Sequence, residues 1–537
     1  MDKALKMGKT SATGSFHLFL GNAFSTVIMA VGTVIFVRLM TPEDYGLYSV
    51  ALTPSLMINL FRDWGTGSAA TKYIAQYRVT NDVQNLKRVL YAGFIFQIVT
   101  GTVLSVLSFL TADFVAFYVF HRPELQILVS VVSITIFANS LLGVCQSSFV
   151  GFEKMKLNST TLLVQATAKS IATPLLVYFG FGALGAALGY TFSFLVGGIA
   201  GLIMLYSLVF VRNLRSAGIT KSEILATLRT MLHYGVPLSV SNILQGFVGP
   251  FYGFIMAFYC SNLMIGNYQS AIQFAVILTF LTGPILTVLF PVFAKVDSDS
   301  EHDLLRTVFP SSIKYTAIFL VPATMAMMVL SKPMISTLFG EKWLYAPFFL
   351  SLTVVGHLFC IFGSLSNVVF LAGVGETRLL LKLGLLALLV GVPLALLLIP
   401  LYGIVGVILG NIFAALPGTF WSLWWIYKHY EVKPDFKSSV RILIASALAA
   451  LATYLLLSFL CFTDWVNLII GGVTFLAIYI VTGPTLGAIT LEDIRNIREM
   501  LSGLGFFSRI IDVPLILAEK VANLVPPQGL KKRGSVR

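Results

Sequence analysis

Charge is what this chain has least of. Of 537 residues only 11% are Asp, Glu, Lys or Arg, six are histidine and four are cysteine, while 57% are apolar and mean hydropathy is +0.88. A soluble globular domain of this length has no use for so much apolar surface, and that class is excluded. Cys145, Cys260, Cys360 and Cys461 lie within or at the ends of apolar runs with no CxxC spacing, so they are expected to pack as small hydrophobes rather than pair or bind metal. No GxxxxGK phosphate loop occurs, which argues against an ATP-driven pump, and no cofactor is expected. The weak alternating segments of barrel strands are missing too.

What is present is a series of continuous apolar runs about twenty residues long, the length at which a helix crosses a hydrocarbon core. The sequence therefore reads as an all-α integral membrane protein with about fourteen transmembrane helices. The first six spans are expected near 16–37, 46–64, 89–111, 125–150, 157–180 and 183–210, and the next six near 233–258, 266–294, 311–331, 345–372, 379–399 and 402–427. Two more follow near 440–461 and 465–488. The basic flank at the start resembles a signal peptide, but its apolar run is too long for one, so it is read as the first span. The 44 glycines and 20 prolines fit packed membrane helices, and Pro54, Pro174, Pro237, Pro284, Pro322 and Pro393 are expected to kink them.

The formal charge of +13 is chiefly a topology signal. With the amino terminus in the cytoplasm, inward segments and the inward ends of spans hold 31 of the 36 Lys and Arg, and outward loops hold only Arg38, Arg122, Lys332 and Lys342; Lys169 lies deep inside a span. That bias places both termini in the cytoplasm and the protein in the cell membrane. A nucleic-acid partner is not expected.

Laid against itself at an offset near 220, the chain matches in several places. Asn22 meets Asn242; Gly46, Tyr48 and Ala51 meet Gly266, Tyr268 and Ala271; Gly182, Gly185 and Gly189 meet Gly403, Gly406 and Gly410. The expected organisation is a cytoplasmic tail (1–15), a six-helix bundle (16–210), a linker (211–232), a pseudo-symmetric second bundle (233–427), two added helices (440–488) and an amphipathic cytoplasmic tail (489–537). In the tail, Thr490 and Asp493 form the start signal of a helix. Two parallel repeats about a cavity are a transporter layout.

The run RLMTPEDYGLYSVAL (38–52), followed by RDWGTGSAATKYIA, with FVGFEKMKLNS (149–159) and LFGEKWLYA (338–346), resembles polysaccharide and lipid-linked oligosaccharide flippases of the O-antigen (Wzx) type. That family belongs to the superfamily that also holds multidrug and toxin extruders. The resemblance covers the whole chain. It implies that the partners are the bilayer and a polyprenyl-(pyro)phosphate-linked glycan, moved across the membrane by alternating access, with other glycan-assembly membrane proteins as further partners.

Candidate site residues follow from the few polar groups at depth. Lys169 lies about 18 Å into its span if the helix enters near Leu157, where an ammonium needs water or an anion. All 23 acidic residues fall in loops, tails or span ends, so a substrate phosphate is one counter-ion and satisfaction by backbone and hydroxyls is the other. At the foot of the second span, Arg62, Asp63 and Lys72 form either an interfacial ion pair anchored by Trp64 or a polar inner mouth, with Asp63 holding a cation and Gly65 and Gly67 allowing a bend. Asn22, Ser25, Ser239, Asn242 and Gln245 recur on one face of the first and seventh spans, where they either bond between helices or line a cavity for sugar hydroxyls. The absence of an embedded carboxylate weakens a multidrug antiporter, and the short outward loops weaken a membrane glycosyltransferase or glycan ligase.

Overall fold

The computed structural model describes residues 2–211, 220–295, 302–460, 462–501 and 506–524. Among them every element is helical. In chain order these are α1 (Asp2–Leu39), α2 (Pro42–Asn59), α3 (Thr66–Val79), α4 (Val83–Leu110), α5 (Ala112–Phe114), α6 (Leu125–Gly151), α7 (Met155–Leu176), α8 (Gly182–Val211), α9 (Lys221–Tyr259) and α10 (Asn262–Lys295). There follow α11 (His302–Val329), α12 (Ser331–Phe339), α13 (Ala346–Val354), α14 (Ser366–Gly373), α15 (Thr377–Tyr402), α16 (Ile404–Tyr430), α17 (Phe436–Phe459), α18 (Asp464–Thr485), α19 (Leu491–Leu501) and α20 (Phe506–Leu524).

Each of the fourteen expected spans falls on helix. Among the described residues nine helical stretches are long and apolar enough to cross a membrane, one of them (Met155–Ser207) containing two helices, and the bent pair Ala346–Phe362 and Ser366–Gly373 makes a tenth. The span expected at 345–372 is thus broken, with a 3-10 segment at Val355–Phe362 and a bend of 49°. A second difference lies at the foot of α2, which stops at Asn59 rather than running to 64. The sequence reading also missed α3, a short helix between spans.

The chain forms two compact units, residues 1–269 and 270–537. In the first, α1 packs along α7, α8 lies against both α6 and α7, and α9 packs on α2, α3 and α4. A buried cluster joins Ala70 and Ile74 of α3 to Leu86 and Val89 of α4, Val144 and Phe149 of α6, Leu205 of α8 and Met231 of α9. Among the unit's ion pairs, Arg78 of α3 meets Glu153 in the α6–α7 turn at 2.5 Å and Arg88 of α4 meets Glu223 of α9. Glu223 also closes the start of α9 by accepting the Thr220 amide at 3.0 Å; the Thr220 bonds first, and Arg88 after them, hold its carboxyl below the usual range.

In the second unit Phe293, Phe309, Phe370 and Ile426 centre a core on α10, α11, α14 and α16. The expected cap of α19 is formed: the Asp493 amide donates to Thr490 Oγ1 at 3.2 Å and Asp493 Oδ2 accepts the Thr490 amide at 2.8 Å. The same carboxylate pairs with Lys314 Nζ at 2.6 Å, and Arg498 ties α19 to Asp512 and Glu519 of α20. The closing KKRGSVR lies outside the described residues.

Residues matched by the internal repeat share their environments. Tyr48 and Tyr268 are each 5% exposed, and Ala51 and Ala271 are fully buried. The hairpins α7–α8 and α15–α16 turn on Gly182 (φ 48°, ψ −128°) and Gly403 (φ 57°, ψ −130°), one backbone conformation reached twice.

Candidate functional site

The stretch that ends α2 builds a compact polar node. After Asn59 the chain turns through Trp64 (φ 47°) and Gly65 (φ 74°) and restarts as α3 at Thr66. Asp63 lies just before that new helix, where its carboxylate satisfies donors the helix cannot. Asp63 Oδ1 accepts the Gly67 amide at 2.8 Å, Thr66 Oγ1 at 3.0 Å and Gln97 Nε2 of α4 at 2.9 Å. Gln97, 2% exposed, uses its other amide atom to accept Arg62 Nη1 at 3.3 Å, and the same nitrogen donates to the Asn139 carbonyl of α6 at 3.1 Å. Thr100 Oγ1 donates to the Arg62 carbonyl at 3.1 Å. Arg62 Nε is buried and has no hydrogen-bond partner among the described residues.

One expectation changes here and one is extended. Among the described residues Asp63 forms no ion pair with Arg62 or Lys72; its Oδ1 is committed to the start of α3 and to Gln97, which joins acid to base through a neutral amide. Gly65 takes the positive φ of the expected bend and also allows close helix packing: a Cβ there would stand 2.0 Å from the Gly235 carbonyl oxygen of α9. Lys72 is exposed on α3 with Nζ 3.8 Å from the centre of the Tyr234 ring and 5.3 Å from that of Tyr73.

Lys169 sits fourteen residues into α7, about 21 Å along the helix. Its Nζ lies 5.2 Å from the centre of the Tyr190 ring on α8, over the negative face of the π system. Tyr190 in turn meets Tyr48 of α2 edge-on, with centroids 6.4 Å apart, and Tyr48 meets Phe36 of α1 at 6.5 Å. Ser170, the next residue, donates to the Ile28 carbonyl of α1 at 2.9 Å and fixes the rotation of α7. Among the described residues no carboxylate lies within ion-pair distance of Lys169.

The polar group on the first and seventh spans is mixed. Asn22 and Asn242 are exposed, and Ser25 and Ser239 are buried; among the described residues the Ser25 hydroxyl has no hydrogen-bond partner. The side chain of Gln245 lies outside the described residues. Because α1 packs along α7 and α9 along α2, α3 and α4, the two sets have different neighbours. Sequence reasoning missed Gln97, Thr100 and Tyr190. Gln97 was visible as the one amide in the apolar run YAGFIFQIV, whereas nothing in the sequence marked Tyr190 as the ring facing Lys169.

Fold and site together define an all-helical, multi-pass membrane protein that sets isolated cations on an apolar scaffold. The profile of the family described as polysaccharide biosynthesis protein matches residues 35–347, more than half of the chain, and the chain belongs to that family. Among curated relatives, the lipopolysaccharide biosynthesis protein WzxC of Escherichia coli K12 is 24% identical over 351 residues, spanning 64% of this chain and 65% of its own length. The lipid II flippase MurJ of Bacillus subtilis 168 is 21% identical over 481 residues, 82% of this chain and 87% of its own. A solved lipid II flippase MurJ in an inward closed conformation shares the fold, with a TM-score of 0.68 at 15% identity, covering 87% of this chain and 97% of that one.

Proposed function

We propose that this protein is a transporter, not an enzyme, that flips a lipid-linked glycan precursor from the inner to the outer leaflet of the cytoplasmic membrane by alternating access, with both termini in the cytoplasm. Family membership and the likeness to WzxC and MurJ support this reading. The observation that carries it is Lys169: an ammonium deep in a membrane helix, faced by an aromatic ring and by no described carboxylate. An isolated cation in that setting is costly unless water or an anion reaches it, and a ring offers a weaker partner than a phosphate does.

The chemistry required is shelter. Carrying a phosphate bare through hydrocarbon meets a Born cost of tens of kcal/mol, and a hydrated cationic path removes most of it. Arg62, Lys72 and Lys169 supply positive charge along that path, while Asn22, Ser25, Ser239, Asn242 and Gln245 offer groups for sugar hydroxyls. The lipid tail stays in the bilayer. An interior-negative potential favours outward movement of an anion by roughly 2.3 kcal/mol per charge per 100 mV. A multidrug antiporter, which would take cations, is disfavoured because Asp63 lies at the foot of its span with Oδ1 bonded to the start of α3 rather than deep in a membrane helix.

The test is flux of a fluorescent polyprenyl-pyrophosphate-linked sugar in proteoliposomes. Loss of one charge-assisted contact predicts that Lys169→Gln slows flux about tenfold or more at normal insertion, and that Lys169→Arg retains most of it. Unchanged flux in a well-inserted Lys169→Gln protein removes Lys169 from the path.

A further inference from the structure

The first turns of α2 and α10 meet through a pair of glycines, and the meeting is reciprocal. A Cβ on Gly46 would stand 1.8 Å from the Asn262 carbonyl oxygen, and a Cβ on Gly266 would stand 1.9 Å from the Pro42 carbonyl oxygen. The repeat offset of 220 carries Pro42 onto Asn262 and Gly46 onto Gly266. Each helix therefore offers the other the same carbonyl and the same glycine, as in a two-fold interface between identical subunits. Only a glycine hydrogen fits in either gap, and the atoms opposite are backbone that cannot rotate away. Both glycines are buried.

The corner between α9 and α10 is held from a second side by the loop before α6. Arg122 Nη1 donates to Asn262 Oδ1 at 2.5 Å and Nη2 donates to the Cys260 carbonyl at 2.6 Å. Beside it the Phe120 ring packs on Phe254 and Phe258 of α9, with centroids 5.1 and 5.4 Å away. Three separate stretches of the repeat thus converge on one short crossing. Residues 38–41 and 120–124 are outward loops in the proposed orientation, which puts the crossing at the outer face.

We propose that this glycine crossing, latched by Arg122, is the outer seal of the translocation path: Gly46 and Gly266 are positioning residues that must meet when the path faces inward and part when it faces outward. A seal made of backbone against backbone closes tightly, yet parting it strands no buried side-chain charge at the crossing itself. Because the contact is its own image under the repeat, its two halves engage and release together. The inference rests on the flippase reading for the direction of flux and on the proposed orientation for which face is outer.

Cys260 reports on the seal. Its thiol is free and 6% exposed at the latched corner, so opening should bring it to water. With Cys145, Cys360 and Cys461 changed to Ala in the full chain, a membrane-impermeant maleimide is added from outside to reconstituted protein. Gly46→Ala and Gly266→Ala should each raise the Cys260 labelling rate about tenfold and depress flux, because closure is blocked. Arg122→Gln introduces no clash and should raise labelling by a similar factor, since it removes charge-assisted bonds; it stands as the test if the alanine variants fail to insert. Labelling unchanged in inserted variants overturns the proposal, as does labelling that rises only for reagent delivered from the cytoplasmic side. If labelling rises as expected while the parent protein moves no glycan lipid, the seal stands and the substrate reading fails.

Discussion

At the scale of single residues, the site depends on how few polar atoms it contains. Asp63 serves three donors and Gln97 bridges an acid and a guanidinium, so neither can be replaced without stranding a buried partner. Asp63→Ala should lower stability by about 2–3 kcal/mol, combining loss of a helix-start acceptor with an unsatisfied Gln97 amide. Asp63→Asn keeps one acceptor and should cost less than half as much. Thermal unfolding in detergent separates the two; equal losses would mean that the negative charge, and not the hydrogen-bond geometry, holds the node together. The sequence revealed that Arg62 and Asp63 mattered but misassigned the partner, because residue spacing along α2 says nothing of which side chain on α4 faces the break. Lys169 was legible for the opposite reason: a lone cation in an apolar run is conspicuous whatever surrounds it.

Among helices, the outcome turns on where the chain can bend. Long apolar runs identified the spans, since period and length are local properties. The bend before Thr66 was legible in Gly65, but the helix that restarts there and the break at Val355–Phe362 were not, because an apolar or small-residue stretch has the same composition whether straight or broken. The hairpin turns are different. Gly182 and Gly403 occupy a region of positive φ and strongly negative ψ that residues with a Cβ avoid at a cost of about 1–3 kcal/mol. Gly182→Ala and Gly403→Ala should therefore each destabilise the protein by that amount, and by nearly equal amounts. Separate melts of the single variants check this, and a large inequality would mean that the repeats no longer share an energetic role at this turn.

For the molecule as a whole, the repeat was the most informative feature of the sequence. Matches at an offset near 220 anticipated the paired burial of Tyr48 with Tyr268 and Ala51 with Ala271, since duplicated segments inherit the same packing constraints. What the matches left open was the setting of each polar residue: Asn22 and Asn242 align and are both exposed, yet α1 and α9 lie against different helices. The distribution of Lys and Arg makes a global prediction of its own. Reporters that function only in the cytoplasm should be active when fused at either end of the chain, and activity at one end alone would indicate an odd number of crossings.

Biosynthesis sets one more condition. Lys314 finds its carboxylate on Asp493, 179 positions further along the chain, so during translation its ammonium waits at the membrane boundary until several later helices have emerged. The nascent protein must shield that cation temporarily with water, lipid phosphate or an insertase. Docking of α19 completes that shielding by placing Asp493 on Lys314, a contact that joins two segments far apart in the order of synthesis.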